Sequence, residues 1–455
     1  MNRISRRRLL GSSLAAGTVA ALGACSASPG QTSASSESAT GGTISDEERQ
    51  AALDTETELL FWTWVPEIEN EVALFQEAYP KISVTVENVG QGADHYKKLR
   101  TALQAGQGAP DVAQIEFQHI QSFTVTNNLL DLTPYGAADI APQFVDWVWN
   151  QVQIGNGIWA IPQDSGPLGT LYRRDLFADA GLDGDMETWD DFRAAAETVR
   201  PSGGYLTCLS PNEAGQFSSF YWQAGARPFG YDGAETVTIN LGGDELVKQV
   251  MDYWTGLLQD DLVANDPAWN DTWYQGLANG KYASWVTAAW GPVFLQGTAA
   301  TTSGLWTATR VPQWNAGEDI SGNWGGSSNA VMQPTQNPIA AYELAKWINT
   351  DIASTLMFAN EQFFFPTTVK TLEDRRFTDT ESEFFGGQRV NELFSEISGT
   401  VTPDFGWLPF MDYTYAQFVE TVGVAITDRS DLYEATLTWE QSLKDYATQQ
   451  GFTIA

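Results

Sequence analysis

The chain has 455 residues, enough for about three average domains or for two large lobes with irregular ends. Lys and Arg number 24 against 57 Asp and Glu, a formal net charge of −33. That balance argues against DNA or RNA as a partner, because phosphate neutralisation needs a basic surface. Hydrophobic residues at 43% exclude a fully disordered chain, and two Cys exclude a disulfide scaffold. Two His, His95 and His119, leave little room for His-based metal or triad chemistry.

The first 24 residues carry Arg3, Arg6, Arg7 and Arg8 and no acid. The Leu/Ala/Gly/Ser run from Leu9 to Leu22 is too short and too rich in small residues to span a membrane. Ser5-Arg6-Arg7-Arg8-Leu9-Leu10 resembles a twin-arginine export signal, and Leu22-Gly23-Ala24-Cys25 resembles a bacterial lipobox. Together they predict a signal peptide over 1–24, cleavage before Cys25 and lipid on its thiol. The plainer alternative makes Cys25 an ordinary thiol near a cleavage site. Residues 26–45 are almost entirely Ser, Ala, Thr, Gly and Pro, so 25–56 reads as the lipidated Cys followed by a flexible linker. No long apolar run follows, which predicts an anchor by lipid and not by a span. Cys208, left without a partner, reads as a small buried core residue. The acidic charge reads as compositional bias more than as a functional patch.

From residue 57 onward the pattern alternates between strand and helix. Glu58–Trp64 is a compact apolar, aromatic run that predicts a buried strand. Ile68, Val72, Phe75 and Tyr79 recur at helical spacing until Pro80, and Ile82, Val84 and Val86 then alternate as a strand. Tyr96, Leu99 and Leu103 line a helix face with Gly106 as its C-cap, and Asp111–Ile115 is the next strand. This order predicts an open α/β sheet with ligand loops at the C-terminal ends of its strands. Gly157–Ile161 and Thr170–Tyr172 flank a shaped connection, 162–167, with two Pro and a Gly. Thr188 is expected to cap a helix running through Val199, with Asp191 at its third position. Helices are expected over Glu245–Leu258, Thr272–Ala278, Ala341–Asn349 and Ser354–Glu361, and a strand over Lys281–Ala288.

No P-loop, GxSxG or HExxH motif occurs. Carboxylates are so numerous that a glycosidase-like acid pair stays open, though no pattern singles one out. As a lone His, His119 reads as a hydrogen-bonding residue before a metal ligand. Tryptophans stand beside Gly, Pro and carboxamides at expected strand ends and loops: Trp62 and Trp64, Trp290-Gly291-Pro292, Asn323-Trp324-Gly325 and Trp407-Leu408-Pro409. A flat aromatic covers the C–H face of a sugar, and Asp, Glu, Asn or Gln bonds its hydroxyl edge. Most Trp fill core, and Trp62, Trp147, Trp254, Trp347 and Trp439, within periodic apolar segments, are expected to do so. Trp290 has two readings, a stacking platform at a strand end or a core residue.

An ordered set of segments carries a family resemblance: FWTWVP at 61–66, KLRTALQAGQGAPDVAQIEFQH at 98–119, IPQDSGP at 161–167, LYRRDLF at 171–177 and TWDDF at 188–192. It continues with WYQGLANGKYA at 273–283, AAWGP at 288–292, PQWNAGEDISGNWGGS at 312–327 and FFGGQRVNELF at 384–394. The chain resembles the extracellular solute-binding proteins of family 1, maltose-binding-protein-like sugar receptors of ABC importers, over roughly 57–450. The resemblance implies an α/β, two-lobe periplasmic-binding-protein-like fold with hinge crossovers and an interlobe ligand cleft. Lobe 1 would be 57–165 plus 311–364, and lobe 2 166–310 plus 365–455. Crossovers would fall near Gln163–Gly166, Arg310–Trp314 and Phe364–Thr367. Trp64, Glu67, Glu116, Gln118, His119 and Asp164 would meet the ligand from one side. Glu213, Phe217, Trp290, Trp407, Asp412 and Tyr413 would meet it from the other, with Trp324 and Gly325 on a returning loop. The resemblance implies no catalytic residue, no cofactor and no metal. It implies a monomer, lipid-anchored on the outer face of the cell membrane, that binds a sugar and engages a permease and, through it, an ATPase. The array of aromatics points to an oligosaccharide. A secreted carbohydrate-active enzyme and a receptor for a non-sugar solute are the alternatives.

Overall fold

The computed structural model describes residues 43–184 and 186–455. The export motif, the lipobox and Cys25 lie outside the described residues. Within them, the strands Thr57–Trp62, Ile82–Glu87 and Val112–Glu116 run parallel, with Thr57–Trp62 between the other two. The helices Glu69–Ala78 and Gly92–Ala105 connect them. Parallel strands need such crossovers, and the helices cover the sheet with Val72, Phe75, Tyr96 and Leu99. Gly106 ends the second helix in the left-handed region at φ 64°, where a residue without Cβ is unstrained. Ser327–Val331 then pairs antiparallel with Val112–Glu116, and Ile161–Asp164 closes the five-stranded sheet.

After the three residues 165–167 the chain enters a second sheet. There Leu168–Arg173 is the central strand, antiparallel to both Ser284–Ala288 and Trp306–Arg310. The chain returns to the first sheet between Arg310 and Ser327 and runs past it again where Pro366 bridges Asp164. Residues 165–167 are tightly packed. Gly166 N–H donates to Asn323 Oδ1 at 2.8 Å, and a Cβ on Gly166 would meet the Trp324 carbonyl oxygen at 2.1 Å. A smaller third sheet joins Phe229–Tyr231, Thr236–Ile239 and Thr453–Ile454. Around the second sheet, Leu171, Tyr282, Trp285, Trp306, Phe377, Phe385 and Phe394 form a core cluster that also buries Cys208.

Most expected elements appear within a residue or two. Thr188 caps Trp189–Val199 in a capping box with Asp191. Trp62, Trp147, Trp254 and Trp439 are buried, and Trp347 packs edge-on against Phe75. Burial pushes the Cys208 thiol up to about 11, consistent with an inert core thiol. Two expectations need correction. The linker read over 25–56 holds a helix, Asp46–Leu53, started by a Ser45/Glu48 capping box. Arg49 ties it down, bonding the Tyr135 carbonyl at 2.5 Å and pairing with the buried Glu343. The strand expected from Lys281 begins at Ser284, because Lys281 and Ala283 exchange backbone bonds with Tyr205. Among the described residues, no helix is long and apolar enough to cross a membrane.

Candidate functional site: a cleft between the sheets

Loops from both sheets line a cavity of about 1100 Å³. On the first side the C-terminal strand ends converge, as an open α/β sheet requires. Trp64 follows the Thr57–Trp62 strand, Glu116 ends Val112–Glu116, and Gln118 and His119 lie in the first turn of helix Phe117–Thr124. Asp164 ends its strand, and Asn323, Trp324, Gly325 and Gly326 form the loop into Ser327. On the second side, Glu213 and Gly215 stand at the start of helix Ala214–Ala224, and Trp290 at the start of Gly291–Thr298. Trp269, Tyr274, Phe294, Trp407 and Tyr415 complete that wall, and Gln362, Phe363 and Phe364 close one end.

The aromatic wall is a contiguous cluster. The Trp269 ring lies 5.9 Å from Trp290 and from Phe294, and Trp290 lies 5.1 Å from Trp324 at 74°. Trp290 Nε1 donates to the Trp324 backbone carbonyl at 2.8 Å, which fixes the Trp290 ring. Trp269 remains 37% exposed and Phe294 41%, so their faces are open to a ligand. Trp269 and Phe363 hold φ of 67° and 60°, a conformation that bulky residues rarely adopt. Strained backbone of this kind concentrates at functional sites.

The acids of the cleft are held by hydroxyl, indole and backbone donors. The Tyr96 hydroxyl donates to Glu116 Oε2 at 2.9 Å. Burial pushes Asp164 up to about 6, against the Ser327 hydroxyl that donates to it, and the Glu116 charge adds to the rise. Burial likewise pushes Glu213 up to about 7, although Trp269 Nε1 and the Gly215 N–H both donate to it. Burial lowers His119 below the usual imidazole range, which keeps the ring neutral near pH 7. Its Nδ1 lies 3.2 Å from Asp412 Oδ1. Among the described residues, no Lys or Arg lines the cavity. Neutral or partly neutral acceptors beside open indole faces match the two surfaces of a polyhydroxylated ring.

Of the residues expected here, the structure brings together Trp64, Glu116, Gln118, His119, Asp164, Glu213, Trp290, Trp324, Gly325 and Trp407. Four lie elsewhere. Phe217 is fully buried, its ring among Phe220, Tyr221 and Phe418, because its helix is buried on every side. Glu67 is exposed in a tight turn at φ 59°, and it is its neighbour Pro66 that reaches the cavity. Tyr413 stacks on Tyr446 at 3.8 Å and 12°, leaving Tyr415, two positions on, to face inward. Asp412 pairs with Arg100 at 2.8 Å. Trp269 escaped the sequence reading. Its setting beside Asn270, which caps the next helix, is the aromatic-next-to-carboxamide pattern that picked out Trp324.

A family model for bacterial extracellular solute-binding proteins matches residues 62–353. Among solved structures, the ABC transporter associated binding protein from B. animalis subsp. lactis Bl-04, in complex with beta-1,6-galactobiose, is similar at a TM-score of 0.76 and 32% identity. That likeness covers 88% of this chain and 100% of the other. The lactose-binding protein of Rhizobium radiobacter is 25% identical over 367 residues, 74% of this chain and 81% of the relative. The arabinooligosaccharide-binding protein of Bacillus subtilis (strain 168) is 24% identical over 377 residues, 78% of this chain and 84% of the relative. The fold is the two-lobe periplasmic-binding-protein fold with its ligand cleft between the lobes. By its sequence and by this architecture, the chain belongs to the family of bacterial extracellular solute-binding proteins.

Proposed function

We propose that the protein is the substrate-binding lipoprotein of an ABC importer, taking an oligosaccharide into the cleft and delivering it to a membrane permease driven by an ATPase. The observation that carries this reading is the cavity of about 1100 Å³, in which open Trp and Phe faces stand opposite carboxylates and carboxamides. Small-molecule pockets span about 300–1,000 Å³, so this one has room for more than one sugar ring. The ligands named for the relatives, beta-1,6-galactobiose, lactose and arabinooligosaccharide, support the same class. The cleft acids then serve as hydroxyl acceptors, and the protein binds without turnover. The lobes are 57–165 with 311–364 and 166–310 with 365–455. Sugar touches both only when they close, so binding shifts the hinge equilibrium. The chain is exported by its twin-arginine segment, processed at Cys25, held by lipid on the outer face of the cell membrane, and works as a monomer.

Titration calorimetry with purified residues 43–455 tests the ligand class. Affinity is expected to rise from mono- to di- or trisaccharide. Trp269→Ala is expected to lose about thirtyfold or more in affinity, as truncated aromatic anchors do, with a near-native melting midpoint. Equal affinity for monosaccharides removes the oligosaccharide claim. If no saccharide binds or raises the melting midpoint, the sugar reading fails.

A further inference from the structure

We infer that Asp412 is a clasp between the lobes, whose carboxylate grips Arg100 across the cleft and biases the protein toward closure before any ligand arrives. Asp412 lies in the first turn of helix Met411–Phe418, which packs on helices Ala214–Ala224 and Leu432–Gln449 of the second lobe and, across the cleft, on Phe117–Thr124. Two residues on helices beside the first sheet approach it: Arg100 on Gly92–Ala105 and His119 on Phe117–Thr124. Asp412 Oδ2 lies 2.8 Å from Arg100 Nη2, and Oδ1 lies 3.2 Å from His119 Nδ1. His119 is neutral and its Nδ1 makes no hydrogen bond, so the pair with Arg100 carries the grip.

The receiving side is built without Asp412. Arg100 donates to Ser122 Oγ at 3.0 Å, and its guanidinium lies 4.9 Å from the centre of the Phe123 ring. The His119 ring packs 4.1 Å from Tyr96. Because these groups are already ordered, the clasp loses little side-chain entropy when it forms. Helix Phe117–Thr124 carries the cavity-lining Gln118 and His119, and Met411–Phe418 carries Tyr415, so parting the clasp parts the walls of the site. Arg100 and Asp412 are partly exposed, at 33% and 50% of their side chains. Such a pair adds little to global stability. Acting on a lobe motion with a shallow free-energy profile, the same small energy shifts the closed-to-open ratio about three- to fivefold.

The test is made on the ligand-free mature chain, with interlobe distances from spin-label pairs and with small-angle scattering. Arg100→Gln and Asp412→Asn are each expected to shift the population about three- to fivefold toward the open form. The double variant is expected to shift it no further, because both changes break one interaction. The charge swap, Arg100→Asp with Asp412→Arg, is expected to restore part of the closed population. Raising salt should shift the wild type further toward the open form than Asp412→Asn, because the variant lacks the pair that salt screens. Melting midpoints identify any variant that fails to fold. Asp412→Asn, a change at a surface carboxylate, carries the test alone if the Arg100 variants do. An unchanged distance distribution in Asp412→Asn overturns the inference, as do equal salt responses of variant and wild type.

Discussion

Glu71 shows how one buried group ties the fold to pH. It is fully buried on helix Glu69–Ala78, where Gln362 Nε2 donates to its Oε2 at 3.1 Å and its Oε1 has no hydrogen-bond partner. Burial pushes its carboxyl up to about 7, with the nearby charges of Glu361 and Glu69 adding to the rise. The folded state therefore keeps a proton that the unfolded chain releases above about pH 4.3. Stability from this site is highest at acid pH and falls as pH rises through 7. Glu71→Gln keeps the acceptor and offers a donor to Gln362 Oε1, which also lacks a partner. The variant should be about 1–3 kcal/mol more stable than wild type at pH 8 and close to it at pH 5. Urea unfolding at the two pH values measures this, and equal offsets at both would remove Glu71 as the titrating group. Single residues were also the hardest to read from sequence. Trp64, Glu116 and Asp164 were legible because a strand end next to a loop is a position in the chain. Phe217 was not, because nothing in its local pattern tells a helix buried on every side from one with a face toward a cleft.

At the level of elements, the legible signals were those that act within one turn. Thr188 accepts from the Asp191 N–H at 3.1 Å, and the Thr188 N–H donates to Asp191 Oδ2 at 2.9 Å. Both bonds satisfy amide groups that a helix start leaves free, so three residues of sequence suffice to place the boundary. Thr188→Ala should cost about 1 kcal/mol, read as a lower denaturant midpoint with an unchanged slope. No loss would mean that Asp191 caps the helix unaided. The helix Asp46–Leu53 shows the opposite case. It lies beyond a Ser- and Gly-rich stretch and buries none of its residues, yet Arg49 fixes it through Tyr135 and Glu343, far along the chain. The Met411–Phe418 helix is similar: Tyr413 turns to Tyr446 and Tyr415 to the cavity, a choice made by what each face meets.

For the whole molecule, the proposed anchor has a direct test. Cys25→Ala should move the protein from the membrane fraction to soluble or uncleaved forms, because the thiol that would carry the lipid is gone. A variant that stays membrane-bound with a processed N-terminus removes the lipid anchor. The α/β character, the alternation of strand and helix from residue 57 and the family were readable along the chain, since hydrophobic period, caps and ordered motifs are local properties. The joining of the lobes was partly readable too, as Pro and Gly at 162–167 marked a shaped connection. What the chain order could not supply were pairings across long separations. Trp290 was legible as a strand-end aromatic, but its bond to the Trp324 carbonyl, and the Trp269 ring beside it, depend on three segments meeting. Asp412 looked like a ligand contact and proved to be held by Arg100, more than three hundred residues earlier. Local propensity is written in neighbouring residues, whereas burial, pKa and interlobe contact depend on which distant surfaces the finished fold presses together.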